Sequence, residues 1–368
     1  MFDVAIVGAG FVGNFVGSEL AKKGYRVVIF EEHKEIGFPP HCAGLVGISG
    51  LERLGLRNKV LREGLVINEI RGARFFSKRG KYFEIHYAKP VAWVIDREGI
   101  DKLLYTEFVS EGGIGRLGIR INEIYPDGTL VATKSLEKFR AQVVVDAEGA
   151  RRALIRNFPG VYLAGLLPAI QIDVKSRRKL ESDFVEIHFN VPDFFSWVIP
   201  LDNQTYRVGV ASNFLGNRML YFIKRFAKRR LGEMRIIKTF GGIVVSGPPL
   251  KRMVWGQIIA VGDAAGQTKP TTGGGVVMGG LSAKIAAGII DRYISTEGEF
   301  SLENYERVWR RILGNHLRIM LHMKRIMVTF SNLGILTDIL FSMIPRGLGK
   351  YVGGDFDFHS TLIIPWLK

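Results

Sequence analysis

Three glycines near the N-terminus have the spacing of a dinucleotide-binding turn. Gly8, Gly10 and Gly13 form the pattern G-x-G-x-x-G directly after the apolar run DVAIV and directly before a helical stretch. Gly8 permits a tight turn, Gly10 lets the backbone approach a pyrophosphate, and Gly13 lets helix and strand pack closely. Free N–H groups at the start of such a helix attract phosphate oxygens. The segment therefore predicts a phosphate-binding turn.

A carboxylate follows at the distance that a nucleotide site requires. Glu31 ends the second apolar run, RVVIF, eighteen residues after Gly13. A carboxylate at this point accepts hydrogen bonds from ribose hydroxyls and repels a 2′-phosphate. The order strand, turn, helix, strand, Glu favours dinucleotide binding over a glycine-rich turn in an unrelated α/β protein.

Two later segments indicate which dinucleotide is bound. VGDAAGQTKPTTGGG follows a buried strand, so Asp263 can bind a ribityl hydroxyl, and the glycines at 273–275 can present N–H groups to a phosphate or a pyrimidine carbonyl. An N-terminal fingerprint combined with this late motif is typical of large FAD proteins, although Asp263 could instead only cap a helix. DAEGAR, residues 146–151, closes another apolar strand and predicts a further turn beside the site or an ordinary strand-to-helix turn.

Together these segments resemble the geranylgeranyl reductase family of FAD proteins, which share the fold of the aromatic hydroxylases. The matching stretches lie between residues 3 and 280: GAGFVG with Glu31, GFPPHCAGLVG, WVIDREGIDKLL, VVVDAEGAR, PDFFSWVIP and GDAAGQTKPTTGGG. The resemblance implies FAD-dependent reduction of isoprenoid double bonds, in archaeal ether lipids or in the side chains of chlorophylls and quinones. A flavin monooxygenase on the same fold is the alternative.

The resemblance also implies individual cofactor contacts. They fall on residues from the first turn, the loop after the second strand, the middle helix and strand, and the late motif: Val12, Glu31, Cys42, Ala43, Gly44, Arg97, Ile121, Asp263, Gly275 and Val276. Arg97 is also a candidate by itself, because a cation that opens a helix beside the site could hold a phosphate or ribityl oxygen. Otherwise it is a surface arginine.

The family pattern P-x-x-Y-x-W-x-F-P falls on residues 192–200, with Phe195 in place of Tyr and Ile199 in place of Phe. Side chains alternate across a strand. We therefore expect Phe195, Trp197 and Ile199 to share a face that lines the substrate, or packs in a core, and Phe194, Ser196 and Val198 to share the other face.

Saturating an isolated alkene needs a hydride, a proton and an apolar cavity beside the flavin. The family cysteine falls on Cys42, which we expect to be catalytic, as a proton donor or by shaping the cavity. Because Phe195 lacks a phenolic hydroxyl, the remaining proton sources are Cys42, His41 and water.

Charge and composition limit the partners. There are 51 Lys and Arg against 35 Asp and Glu, a net charge of +16. Residues 218–231 predict a basic amphipathic helix, which fits peripheral contact with an anionic membrane. No nucleic-acid motif accompanies the charge, so we expect no nucleic acid. The resemblance implies a polyprenyl lipid substrate. The apolar segment 326–345 is long enough to span a bilayer, but Asp338 interrupts it.

Further partners follow from what the sequence lacks. One cysteine and seven scattered histidines predict neither a disulfide nor a metal site. No second G-x-G-x-x-G follows a strand, so we expect an external electron donor, reduced ferredoxin or NAD(P)H. The N-terminal sequence does not resemble a signal peptide, which favours a cytoplasmic location, peripheral on the inner membrane face.

The 368 residues predict an α/β (α+β) architecture of more than one domain. A three-segment, Rossmann-like FAD-binding domain is expected at residues 1–68, 96–158 and 250–295. An antiparallel-sheet substrate domain is expected to be inserted at 69–95 and 159–249, and a C-terminal helical region at 296–368.

Overall fold

The computed structural model describes residues 1–133, 136–333, 337–339, 341 and 355–359. The chain divides into two compact units. The first unit contains Met1–Phe38, Arg97–Leu166 and Val245–Arg318, and the second contains Pro39–Asp96, Leu167–Val244 and Ile319–Lys368. Each unit is therefore assembled from three separated segments of the chain.

Strands and helices follow one another along most of the described chain. The strands are β1 (Phe2–Val7), β2 (Val27–Glu31), β3 (Leu45–Gly47), β4 (Val66–Ile70), β5 (Gly72–Phe76), β6 (Tyr82–His86), β7 (Ala92–Ile95), β8 (Ile114–Leu117), β9 (Ile121–Ile124), β10 (Thr129–Ala132), β11 (Lys138–Asp146), β12 (Leu166–Ser176), β13 (Phe184–His188), β14 (Ser196–Pro200), β15 (Thr205–Ala211), β16 (Met234–Val245), β17 (Val254–Trp255) and β18 (Ile258–Ala260). The helices are α1 (Phe11–Ala21), α2 (Ile48–Leu54), α3 (Arg57–Arg62), α4 (Arg97–Ser110), α5 (Met219–Leu231), α6 (Val276–Ser295), α7 (Asn304–Trp309) and α8 (Asn315–Ser331). A 3₁₀ turn, Gly216–Arg218, precedes α5, and a π-helical turn, Arg310–Gly314, joins α7 to α8.

The first unit is built on a largely parallel sheet with the order β17-β18-β11-β1-β2-β8, to which the β9–β10 hairpin is added at β11. Val4, Ala5 and Ile6 in β1 are fully buried, as expected for a strand covered on both faces. Helix α1 packs against α4 and α6. Because β1, β2, β11 and β18 are parallel neighbours, the turns that follow them lie at one edge of the sheet.

The second unit contains a seven-stranded sheet with the order β16-β12-β15-β14-β13-β5-β6, and a smaller sheet with the order β3-β7-β4. All described pairs of the large sheet are antiparallel except β13 with β5. Helix α5 buries Ile223, Ala227 and Leu231, and Arg230 of this helix forms an ion pair with Glu186 of β13. The helix therefore covers the sheet face that Glu186 occupies.

The architecture confirms the predicted mixed α/β fold with a helical C-terminal region, and α5 confirms the predicted basic helix. The units differ from the predicted domain boundaries, because β3 pairs with β7 and residues 39–68 thereby join the second unit. Within the segment 32–50, which follows β2, a loop is succeeded by β3 and by the start of α2.

The C-terminal part contains α7, α8 and a few further described residues. Among the helices that the structure describes, none combines the length and the apolar character needed to cross a bilayer. Part of the apolar segment 326–345 lies outside the described residues.

Candidate functional site

The predicted dinucleotide turn joins β1 to α1, and two of its glycines are required by close backbone contacts. Gly8 has a φ of +102°, and a Cβ atom there would lie 2.4 Å from the carbonyl oxygen of Ala147. A Cβ atom on Gly13 would lie 1.9 Å from the carbonyl oxygen of Gly8. Gly10 differs, since the space around its missing Cβ is open to 4 Å. The turn therefore leaves room at Gly10, where a phosphate would approach the backbone.

Glu31 lies against this turn. Its Oε2 atom accepts a hydrogen bond from the backbone N–H of Ala9 at 2.8 Å, and its Oε1 atom accepts one from the N–H of His33 at 2.9 Å. Nδ1 of the His33 ring also lies 2.6 Å from Oε1. A carboxylate offers about four acceptor positions, so Oε2 still has one for a ribose hydroxyl. Glu31 thus lies beside the turn, and its predicted role at a ribose stays a prediction.

The late glycine motif packs against Val12, near the start of α1. A Cβ atom on Gly262 would lie 2.9 Å from Cγ2 of Val12, and one on Gly279 would lie 2.7 Å from the same atom. A Cβ atom on Gly275 would lie 2.5 Å from Oδ1 of Asp263. Only glycines allow these approaches, so the start of α1, the turn at Asp263 and the start of α6 at Val276 are held together.

Arg152, which sequence reasoning missed, supports the turn at Asp263. The side chain is fully buried and donates hydrogen bonds to the carbonyl oxygens of Tyr162 at 2.7 Å and Asp263 at 3.2 Å. Burial lowers the pKa of its guanidinium, which is still charged at neutral pH because arginine titrates far above 7. The only sequence signal was an arginine immediately after DAEGAR.

The DAEGAR turn itself holds two carboxylates. Asp146 is fully buried, and burial raises the pKa of its carboxyl, with the nearby charge of Glu148 raising it further. Glu148 accepts the backbone N–H groups of Ala153 and Leu154, each at 2.8 Å. The segment is therefore a hydrogen-bonded turn at the same sheet edge as Gly8. This position agrees with the interpretation of DAEGAR as a further turn beside the Gly8 turn.

Arg97 and Ile121 are the remaining predicted cofactor residues of the first unit. Arg97 forms an ion pair with Asp101 at 3.0 Å, and its guanidinium lies 5.3 Å from the ring centroid of Phe11, the first residue of α1. This contact places Arg97 beside the start of α1. Ile121 is buried in the β9–β10 hairpin, where it pairs with Ala132, and its role stays a prediction.

Cys42, Ala43 and Gly44 belong to the second unit, in a segment of residues 39–44 that we call the Cys42 loop. The Cys42 side chain is partly exposed, and its Sγ atom accepts the N–H of Gly44 at 3.4 Å. The carbonyl of His41 accepts a hydrogen bond from Gln171 on β12, and that of Ala43 accepts one from Arg207 on β15. The loop is therefore fixed to one face of the large sheet.

Trp197 and Ile199 lie on that same face, as the alternation predicted. Trp197 pairs with Gly209 and Ile199 with Arg207 on β15. The Trp197 indole lies over Gly209, where a Cβ atom would be 2.2 Å from the ring. Phe195, Trp197 and Ile199 are 6%, 7% and 3% exposed, so all three are buried among the core residues of this unit, and a role in lining the substrate stays a prediction.

The expectation that Phe194 lies on the opposite face from Phe195 is wrong. Strand β14 begins only at Ser196, and residues 191–194 form bends. Alternation therefore stops before Phe194, whose ring stacks on that of Phe195 at a centroid distance of 4.0 Å.

Comparison with known proteins agrees with this geometry. The model of the family described as FAD binding domain matches residues 1–281. An uncharacterized protein of Methanocaldococcus jannaschii is 29% identical over 100% of this chain and 95% of its own. A digeranylgeranylglycerophospholipid reductase of Methanothrix thermoacetophila is 26% identical over 90% of this chain and 88% of its own. A geranylgeranyl bacteriochlorophyll reductase-like structure from Thermoplasma acidophilum shares the fold, with a TM-score of 0.84, 20% identity and coverage of 100% and 99% of the two chains.

The chain belongs to the FAD binding domain family, and its cofactor is FAD. The open space at Gly10 and the glycine-lined approach at Asp263 fit that cofactor. The predicted resemblance to geranylgeranyl reductases is confirmed, and the protein is an FAD-dependent, geranylgeranyl reductase-like oxidoreductase.

Proposed function

We propose that the protein saturates carbon–carbon double bonds in the isoprenoid chain of a lipid precursor. Bound FAD, once reduced by an external donor, supplies the hydride. One alkene carbon gains this hydride and the other gains a proton, so the alkene is reduced and the flavin is oxidised. The residues that we assign to FAD are those predicted from the sequence, with Gly8, Gly10 and Gly13 at its phosphates and Glu31 at its ribose.

The observation that carries the proposal is a row of residues on the large sheet of the second unit, beside the Cys42 loop, which is apolar from Trp197 onwards. From β12 to β6 the row passes through residues that pair directly across neighbouring strands: Gln171, Gly209, Trp197, Ile187, Phe75 and Phe83. The six strands at about 4.8 Å spacing give a row of about 24 Å, of which the apolar side chains from β14 to β6 cover about 14 Å. A long apolar chain fits such a row, because each buried methylene contributes about 0.8 kcal/mol.

The proton source that we assign is Cys42. Its thiol is partly exposed, and Gln171 connects its loop to Trp197, which we assign to the substrate wall with Phe195 and Ile199. His41 and water are the alternatives, and Nδ1 of His41 lies 2.9 Å from the carbonyl oxygen of Pro39. The electron donor is reduced ferredoxin or NAD(P)H.

The test is a single turnover without oxygen. The flavin is reduced chemically, a polyprenyl lipid is added, and flavin oxidation is followed together with the mass of the lipid. We expect flavin oxidation with a gain of two hydrogens per double bond. Oxygen-dependent turnover with an oxygenated product would instead establish the monooxygenase alternative.

We also propose that the outer face of α5 contacts an anionic membrane. Phe214, Leu220 and Tyr221 are 65%, 38% and 66% exposed. They precede four exposed basic residues on the same helix face, Lys224, Arg225, Lys228 and Arg229. Apolar side chains next to basic ones are typical of interfacial helices, and each cation near an anionic surface contributes about 1 kcal/mol.

Vesicle co-sedimentation tests the membrane contact. The protein should bind vesicles of phosphatidylglycerol and phosphatidylcholine, and Leu220→Ser with Tyr221→Ser should weaken binding. Leu61→Ser is the control, because Leu61 is 48% exposed on the short basic helix α3. Equal loss in the control, or equal binding to pure phosphatidylcholine, would contradict the assignment.

A further inference from the structure

The carbonyl groups of the residues before and after Cys42, His41 and Ala43, are held by side chains from neighbouring strands. Nε2 of Gln171 donates to the carbonyl oxygen of His41 at 3.1 Å. Nη1 of Arg207 donates to the carbonyl oxygen of Ala43 at 2.9 Å. We call these two side chains the carbonyl clamp. Because they hold both flanking carbonyls, the backbone of Cys42 has little freedom to rotate.

Each member of the clamp is itself fixed by a second partner. Nε and Nη2 of Arg207 donate to the two carboxylate oxygens of Asp173 at 2.8 and 2.9 Å, a bidentate arrangement. Oε1 of Gln171 accepts the indole N–H of Trp197 at 3.1 Å. Gln171 is 3% exposed, and a polar group so deeply buried needs its hydrogen bonds.

Strand register explains why the clamp and the proposed substrate wall lie together. Gln171 and Trp197 both pair with Gly209, so they are in one row of the sheet. Asp173 and Ile199 both pair with Arg207, which places them in the next row on the same face. The hydrogen bonds therefore run from the wall, through Gln171, to the Cys42 loop.

We infer that Gln171 and Arg207 are positioning residues that hold the Cys42 thiol in a fixed orientation beside the Trp197 wall. Asp173 orients Arg207 for this task. That this orientation serves proton transfer to the alkene rests on the proposed function. The effect of the clamp on the reactivity of the thiol can be measured without any turnover.

Thiol alkylation is the test, because Cys42 is the single cysteine of the sequence. The FAD-loaded protein is treated with iodoacetamide, and the rate is followed by mass spectrometry. Arg207→Lys and Gln171→Leu each remove clamp hydrogen bonds, so the thiol should react about fivefold faster, as expected for one lost hydrogen bond. Asp173→Asn should give about a twofold increase, since it weakens only the support of Arg207.

A matched control comes from the opposite face of the same sheet. Arg74 on β5 binds Glu84 at 3.0 Å and Glu181 at 2.7 Å, and it pairs in register with Glu186. Arg74→Lys changes a comparable ion pair away from the loop, so its alkylation rate should equal that of the unmodified sequence. An increase as large as in Arg207→Lys would overturn the inference, because general loosening would then explain both.

Melting temperatures establish that each variant is folded. Unchanged alkylation in folded Arg207→Lys and Asp173→Asn would overturn the inference, even where Gln171→Leu fails to fold. Alkene reduction by Arg207→Lys should show a lower kcat with an unchanged KM. Faster alkylation of Arg207→Lys, together with an unaltered kcat in both this variant and Cys42→Ala, would support the clamp and reject Cys42 as the proton donor, which separates the inference from the proposed function.

Discussion

The Gly8–Gly13 turn and the Cys42 loop are both short loops at the end of a strand or beside a sheet, but different groups hold them. In the turn, backbone atoms approach so closely that side chains cannot be accommodated at Gly8 and Gly13. In the Cys42 loop, the backbone is held by the side chains of Gln171 and Arg207. Close backbone contacts require glycine within the turn itself. A side-chain clamp instead requires particular residues on strands that are distant in the sequence.

The largest expected effect tests the backbone half of this comparison. Gly13→Ala places a Cβ atom 1.9 Å from the carbonyl oxygen of Gly8, so the turn must move. We expect a loss of about 3 kcal/mol in the free energy of unfolding, together with loss of FAD. Gly10→Ala is the matched variant, because its Cβ atom meets nothing within 4 Å. It should change the stability of the FAD-free protein by under about 0.5 kcal/mol while weakening FAD binding at least about tenfold.

Denaturation curves and FAD titrations of the two variants distinguish packing from cofactor approach. If Gly10→Ala binds FAD normally, the open space at this position is not where the phosphates lie. If Gly13→Ala is as stable as the unmodified sequence, backbone contact does not restrict the turn.

The ion pair of Glu186 with Arg230 lies in the second unit, away from the Cys42 loop, and affects stability without holding the loop. Burial would raise the pKa of Glu186, but hydrogen bonds from Arg230 and His188 lower it from 4.5 to about 2. A lowered folded-state pKa stabilises the protein above the unfolded pKa, and this contribution is lost as the pH falls from about 4.5 to 2. The shift corresponds to about 3 kcal/mol. Glu186→Gln should remove this dependence in urea unfolding between pH 2 and 5, with the alkylation rate of Cys42 unchanged.

Removing the charge of Glu31 should have a smaller effect, on the cofactor alone. Glu31→Gln keeps an acceptor for the N–H of Ala9 but weakens charge-assisted hydrogen bonds to ribose, so we expect the Kd of FAD to rise about tenfold. Glu32→Gln is the control, because the Glu32 carboxylate instead lies 3.6 Å from each of Arg120 and Arg151. Isothermal titration would contradict the assignment if both variants bound FAD equally.

The smallest change concerns the link between the wall and the loop. Trp197→Phe keeps an aromatic ring but loses the N–H that binds Gln171, so we expect a loss of about 1 kcal/mol in stability and a several-fold slower oxidation of the flavin by a polyprenyl lipid. Trp255→Phe loses a similar indole hydrogen bond, to the carbonyl of Pro159 in the first unit. It should show the stability loss without the kinetic one, and equal kinetics in the two variants would reject the wall.

These two loops also show what could be predicted from the sequence. Gly8, Gly13, Glu31 and Asp263 could be located because the residue types that their turns require stand in short motifs. Alternation predicted the shared face of Trp197 and Ile199, but it failed at Phe194, where the strand has not yet begun.

The clamp could not be predicted in the same way. Gln171 lies 130 residues from His41, and Arg207 lies 164 residues from Ala43. The only local signal was QID after the apolar run LLPAI, because two polar residues at alternate positions of a strand must share one face. Which loop they would meet depends on the strand order β12-β15-β14, which no short motif contains.

Anaerobic oxidation of the reduced flavin by a long-chain isoprenoid lipid is the direct test of alkene reduction. We expect the flavin to be oxidised at the rate at which lipid hydrogenated at its double bonds accumulates, and Cys42→Ala to slow this step more than it alters FAD affinity or melting temperature. Reduced flavin that stays unreacted with every isoprenoid lipid but reacts once oxygen is admitted, with oxygen incorporated into the product, would contradict it.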